Sequence, residues 1–219
     1  MENLINVGKL TLVLLAVASI VFTFVEEWRN YRFIWQVWKR FRIKMFFEVF
    51  GIILLMVVAI IALLEVPGLK YGWANLFFSG GGNILVAPIL DASGSASILI
   101  RLVVPLFFFA LMLMLPFLSR SEERRFRKGY NEWGSILKQS VKFGLMHCLV
   151  GIPLAAGIGL IITGFFLGYK YKRAFDSKAA TLNYSQAEDE AVMVSTTYHT
   201  MYNSILVTVM LIVVLTAVL

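Results

Sequence analysis

Long apolar runs constrain this chain more than any other feature. Four are uninterrupted or nearly so, covering residues 10–25, 45–66, 97–118 and 204–219, and a fifth, 154–169, is Gly-rich but apolar throughout. Each approaches the roughly 20 residues that a membrane-crossing helix needs. The remainder of the chain cannot offset them: of 219 residues 59% are hydrophobic and 15% charged, against about 25% charged in an average soluble domain. A soluble fold of this length has too little interior to hide that much apolar surface. A soluble globular domain, a disordered chain and a disulfide scaffold are excluded, the last because Cys148 has no second cysteine to pair with. An all-α, polytopic integral membrane protein remains. The first run invites reading as a cleaved signal peptide, since Ala16-Val17-Ala18 has small residues at the right spacing. That triplet interrupts the run too early, and Lys9 is the one cation nearby. A retained signal anchor is expected.

Charge placement sets the number of spans. The segment 132–150 is ambiguous, because Lys138 and Lys142 suit it poorly for lipid and Gly151-Ile152-Pro153 follows as a turn. Counting it gives about six transmembrane helices. Residues 26–44, 119–131 and 170–190 then share one side and carry nearly all the cations, while Lys9 and Lys70 lie on the other. With five spans the last basic cluster falls on the wrong side. By the positive-inside tendency, the basic loops face the cytosol, both termini lie outside, and the chain resides in the cell membrane. The formal charge of +7 thus reports orientation, with no nucleic-acid partner expected. Residues 26–44 interleave cations with Trp28, Tyr31, Trp35 and Trp38, a composition suited to membrane lipid headgroups. Two regions follow: 1–95, with two spans and an outer loop, and 96–219, a helical core. The outer loop, 67–96, holds Gly80-Gly81-Gly82 and Pro88 and reads as a re-entrant or interfacial element. No G-K-[ST] follows the glycines, so it is not a phosphate loop.

Ionisable groups at membrane depth are costly and mark function or pairing. Three short patterns hold most of them: Glu122-Glu123-Arg124-Arg125-Phe126-Arg127, then Phe143 to His147, then His199 to Asn203. Spacing of four places Glu123 with Arg127, Phe143 with His147 and His199 with Asn203 on common helix faces. If the chain reverses near Trp133-Gly134, Glu122 lies about 16 Å and His147 about 20 Å from the tip along adjacent helices. A last helix starting near Ala191 from the same side brings His199 about two turns in. All three patterns can therefore converge. A buried carboxylate and an imidazole can hold and deprotonate a water, and a second imidazole with an amide can stabilise an oxyanion. No G-x-S-x-G or H-E-x-x-H occurs. Glu122, His147 and His199 also form a possible three-ligand zinc set; the expectation is no cofactor, with zinc as the alternative.

The ordered set EExxxR, FxxxH and HxxxN resembles the CPBP family of intramembrane endopeptidases. That family includes the type II CaaX prenyl proteases, their bacterial relatives and proteins linked to bacteriocin processing or self-immunity. The resemblance covers about residues 115–210; Gly129-Tyr130 and the Gly-rich helix ending Leu167-Gly168-Tyr169 also look like the family. It implies that Glu122 activates water with His147 helping to hold it, that His199 and Asn203 stabilise the oxyanion, and that Glu123 and Arg127 order the site. The substrate implied is a peptide or protein, lipidated in some members. Arg124, Arg125 and Lys128 stand where the family usually has apolar or small residues, which is expected to make the mouth of the site basic. Two other readings stay open: a non-catalytic membrane partner or immunity protein that keeps the motifs, and a small transporter using the buried charges as a relay. The oligomeric state is open as well.

Overall fold

The computed structural model describes residues 31–76 and 98–218, together with positions 11, 14, 15, 18, 19, 21–26 and 28. Lys9, the glycine triplet and Pro88 lie outside the described residues. Described positions between 11 and 28 are helical, and Phe24 and Trp28 pack on Phe117. The helices that follow are α1 (Tyr31–Lys39), α2 (Ile43–Leu64), α3 (Ile98–Phe126), α4 (Trp133–Met146), α5 (Leu154–Ala179) and α6 (Tyr184–Val218). Short 3₁₀ turns occupy Trp73–Leu76 and His147–Val150. No strand occurs among the described residues.

Three helices among the described residues are long and apolar enough to cross a membrane: Ile43–Leu64, Pro105–Phe126 and Leu154–Ala179. Their surfaces agree with that environment. In α2 the buried side chains are Met45, Val49, Ile53 and Met56, one stripe at helical spacing. Phe47, Leu54, Val58 and Ile61 point outward. In water that outward face would cost about 25 cal/mol per Å² of apolar surface; in lipid it costs nothing. The chain is thus an all-α membrane protein. The segment 132–150 is a helix of 14 residues followed by a 3₁₀ turn. At 1.5 Å per residue α4 is about 21 Å long, short of the roughly 30 Å hydrocarbon core. The 35-residue α6 is polar over its first half and apolar from Ile205 onward.

The bundle has two distinct ends. At one end α2, α4 and α6 begin and α3 and α5 finish. There Arg40 pairs with Glu190 at 3.2 Å, Lys128 with Asp189 at 2.9 Å, and the Asn131 amide donates to the Tyr184 hydroxyl at 2.7 Å. The three basic segments of the sequence therefore gather at one end. At the other end, the Trp73 indole donates to the Cys148 carbonyl, and the Leu154 and Ala155 amides donate to the carbonyls of Tyr71 and Leu69.

Antiparallel packing of α4 on α5 depends on missing side chains. A Cβ on Gly144 would run into the Gly157 carbonyl, and one on Gly168 would lie 2.6 Å from Ile136 Cγ2. Small residues let the two backbones approach, as is common between helices in membranes. The close approach holds the last turn of α4 against α5 and so fixes where His147 emerges.

Candidate functional site

The site is built from the last turns of α3, the end of α4 and the middle of α6. On α3, Ser119, Glu122, Glu123 and Phe126 recur at i, i+3, i+4 and i+7 and form one face. The helix ends immediately after them. Gly129 has φ +84, a left-handed conformation that glycine adopts without penalty at a helix C-terminus. Its amide donates to Glu188 Oε1 at 2.8 Å. Glu188 lies on α6 eleven residues before His199, so this bond sets the height of α3 against α6.

Glu123 and Arg127 are buried to zero exposure, with Arg127 Nε 3.5 Å from Glu123 Oε2. The other oxygen of Glu123 lies 2.9 Å from His199 Nδ1. A carboxylate only accepts, so Nδ1 carries the proton and donates. Nε2 of His199 is thereby turned toward Glu122 Oε2, at 3.8 Å. His147 is held in the same way by a different partner. Its Nδ1 lies 2.7 Å from the Phe143 carbonyl, which also only accepts, and its Nε2 faces Glu122 Oε2 at 3.8 Å. Two imidazoles with the same tautomer thus converge on one carboxylate oxygen. Phe143 spaces them, its ring centroid 4.6 Å from His147 and 5.6 Å from His199. Its other side meets Phe126 and the Arg127 guanidinium.

The site has a wet side and a dry side. The Glu122 and His147 side chains are 35% and 28% exposed, and His199 is 2% exposed. Solvent therefore reaches Glu122 and His147, while His199, Glu123 and Arg127 form the back wall. Glu122 Oε2 accepts no hydrogen bond from the protein. The 3.8 Å separations exceed hydrogen-bond length but suit a single bridging oxygen. Such an oxygen would meet one carboxylate acceptor and two ring nitrogens, each able to accept when neutral and to donate when protonated.

The structure brings five of the six residues singled out in the sequence into this cluster: Glu122, Glu123, Arg127, His147 and His199. Asn203 sits one turn beyond His199, and its amide donates to Ser119 Oγ at 3.4 Å. Asn203 therefore lines the deeper edge of the same face, one turn from Glu122. Ser119 was not anticipated, although its spacing from Glu122 and Glu123 on one helix face was available as a signal. Arg124 and Lys128 do not stand at the mouth. They line a separate cavity of about 720 Å³, with Arg120, Phe33 and Asp189, on the other side of α3. Lys138 and Lys142 are exposed on α4. Among the described residues, no group of three His, Cys, Asp or Glu side chains is arranged to hold a metal ion as it stands.

Comparison with known proteins adds no kinship: no protein-family model matches the chain, and no curated protein or solved structure shows significant similarity to it.

Proposed function

We propose that this chain is an intramembrane endopeptidase that hydrolyses a peptide bond with an activated water. The convergence of both Nε2 atoms on Glu122 Oε2 at equal distance carries this reading. In it, Glu122 is the general base. A water held between Glu122 and His147 loses its proton to the carboxylate and attacks the scissile carbonyl carbon. Negative charge grows on the carbonyl oxygen and is met by His199, whose own positive charge is balanced by Glu123 behind it. Asn203 supplies a second donor once its amide turns from Ser119 to the substrate. Glu122 then returns its proton to the leaving amine. No covalent intermediate forms, and no cofactor takes part.

The same reading places six spans in the cell membrane, with both termini outside and the basic end of the bundle in the cytosol. Substrates are peptides or proteins, lipidated ones included, that reach Glu122 from the solvent-exposed side.

The test is a cleavage screen with the purified chain in lipid nanodiscs, read by mass spectrometry of peptide products. Wild type should cut at least one peptide class, and Glu122→Gln should lower the rate about 10²- to 10⁴-fold, the usual contribution of a general base. Full activity of Glu122→Gln would remove the protease reading. Loss of activity on chelation, restored by zinc, would favour the metal version. A phenotype in cells that survives Glu122→Gln would favour the non-catalytic partner, and solute flux without cleavage the transporter.

A further inference from the structure

A second polar cavity lies away from Glu122, at the basic end of the bundle where α2 begins. It has a volume of about 620 Å³. Five cations line it, Arg40, Arg42, Lys44, Lys170 and Arg173, against one carboxylate, Glu48. The cations are not used up by internal pairing. Lys170 is bound to Glu48 at 2.7 Å, and the Tyr198 hydroxyl donates to the same oxygen of Glu48. Arg40 pairs with Glu190. Arg42, Lys44 and Arg173 make no ion pair with a carboxylate among the described residues, and all three are exposed. The first turn of α2 adds to the field. No side chain caps it and it contains no acidic residue, so its free amides and helix dipole face the same space.

What lies beside this cavity decides the ligand. A crevice of about 310 Å³, lined by Phe41, Phe46, Met201, Ile205 and Val209, is almost wholly apolar. Val194 and Tyr198 line the basic cavity, and Met201 and Ile205 follow them at helical spacing on the same stripe of α6. Charge therefore gives way to an apolar slot along one helix face, at the level where the candidate span Ile43–Leu64 starts. A free phosphate would use only the first half of this arrangement. A molecule with an anionic head and a hydrocarbon tail uses both.

We propose that the cavity between α2, α5 and α6 binds an anionic glycerophospholipid, its phosphate against Arg42, Lys44 and Arg173 and an acyl chain along Met201 and Ile205. The site is independent of the proposed peptidase chemistry. By tying α2 to α5 and α6 it stabilises the half of the bundle that carries His199.

Native mass spectrometry of the purified full chain, delipidated in detergent and titrated with phosphatidylglycerol or phosphatidylcholine, tests this. Wild type should retain phosphatidylglycerol in preference to phosphatidylcholine. The double variant Arg42→Gln/Lys44→Gln should weaken phosphatidylglycerol binding about 30-fold, from the usual contribution of each cation near an anionic headgroup. Far-UV circular dichroism checks that the variant keeps its helices; if it does not, Arg173→Gln takes its place, with a smaller loss expected. Ile205→Trp fills the slot and should weaken phosphatidylglycerol binding with all five cations kept. Equal retention of the two lipids, or unchanged binding in the charge variants, would overturn the proposal. So would complete displacement of the lipid by millimolar inorganic phosphate, which would identify a free-anion site.

Discussion

The two adjacent glutamates at the end of α3 have opposite tasks, and the difference is one of burial. Glu123 is fully enclosed between Arg127 and His199. Removing one partner of a buried charge pair leaves the other uncompensated, at a cost of about 3–5 kcal/mol. Glu123→Gln should therefore lower the thermal midpoint of the purified protein sharply, and it should release the His199 ring. Glu122 is partly exposed and accepts no protein hydrogen bond, so Glu122→Gln should leave the midpoint within a few degrees of wild type while abolishing hydrolysis. Equal destabilisation by both changes would argue against this division. The division was legible in the sequence in part. A spacing of four pairs Glu123 with Arg127 and turns Glu122 elsewhere. What the sequence could not show is the tautomer of each histidine, because that depends on a carbonyl in one case and on a distant carboxylate in the other. Nor could it show that Asn203 meets Ser119 across two helices.

At the scale of elements, the α4–α5 hairpin decides where His147 stands. Gly168→Leu should push α4 off α5 against Ile136 and cost about 1–3 kcal/mol, as overpacking does. Gly134 is a useful contrast. A Cβ there meets nothing within 4 Å, so Gly134→Ala should be neutral or stabilising by up to about 1 kcal/mol. Thermal unfolding followed by circular dichroism separates the two. The long apolar helices were legible because nothing but a spanning helix explains such runs. The segment 132–150 was not, because its apolar content suits a span and its two lysines do not. The structure shows why both signals are present. Ile136, Gln139, Ser140 and Phe143 face inward, and Lys138 and Lys142 lie on the exposed side. A helix of 14 residues can end near the polar boundary that its lysines require. Its glycine contacts depend on a facing helix, which local spacing does not reveal.

Across the whole molecule, the cations that set the expected orientation come together at one end of the bundle. This follows from the alternation of helix directions, and it was legible because charge placement needs no knowledge of packing. If that end is cytosolic, Lys39→Cys and Lys178→Cys in a Cys148→Ser background should resist a membrane-impermeant maleimide in intact cells, and Lys70→Cys should react. Labelling of all three from the same side would contradict the arrangement. The basic segments were expected to serve one purpose, yet Arg124 and Lys128 turn away from the catalytic face, and Arg42, Lys44 and Arg173 surround a different cavity. Only the packing of α2, α5 and α6 separates these uses. The central claim is that Glu122 and His147 act on one water. Rates of peptide hydrolysis for Glu122→Gln, His147→Gln and the double variant test it most directly. Residues that act as a unit give non-additive losses, so the double variant should be no slower than the slower single variant. Losses that multiply, or a single variant that retains wild-type rate, would contradict the account.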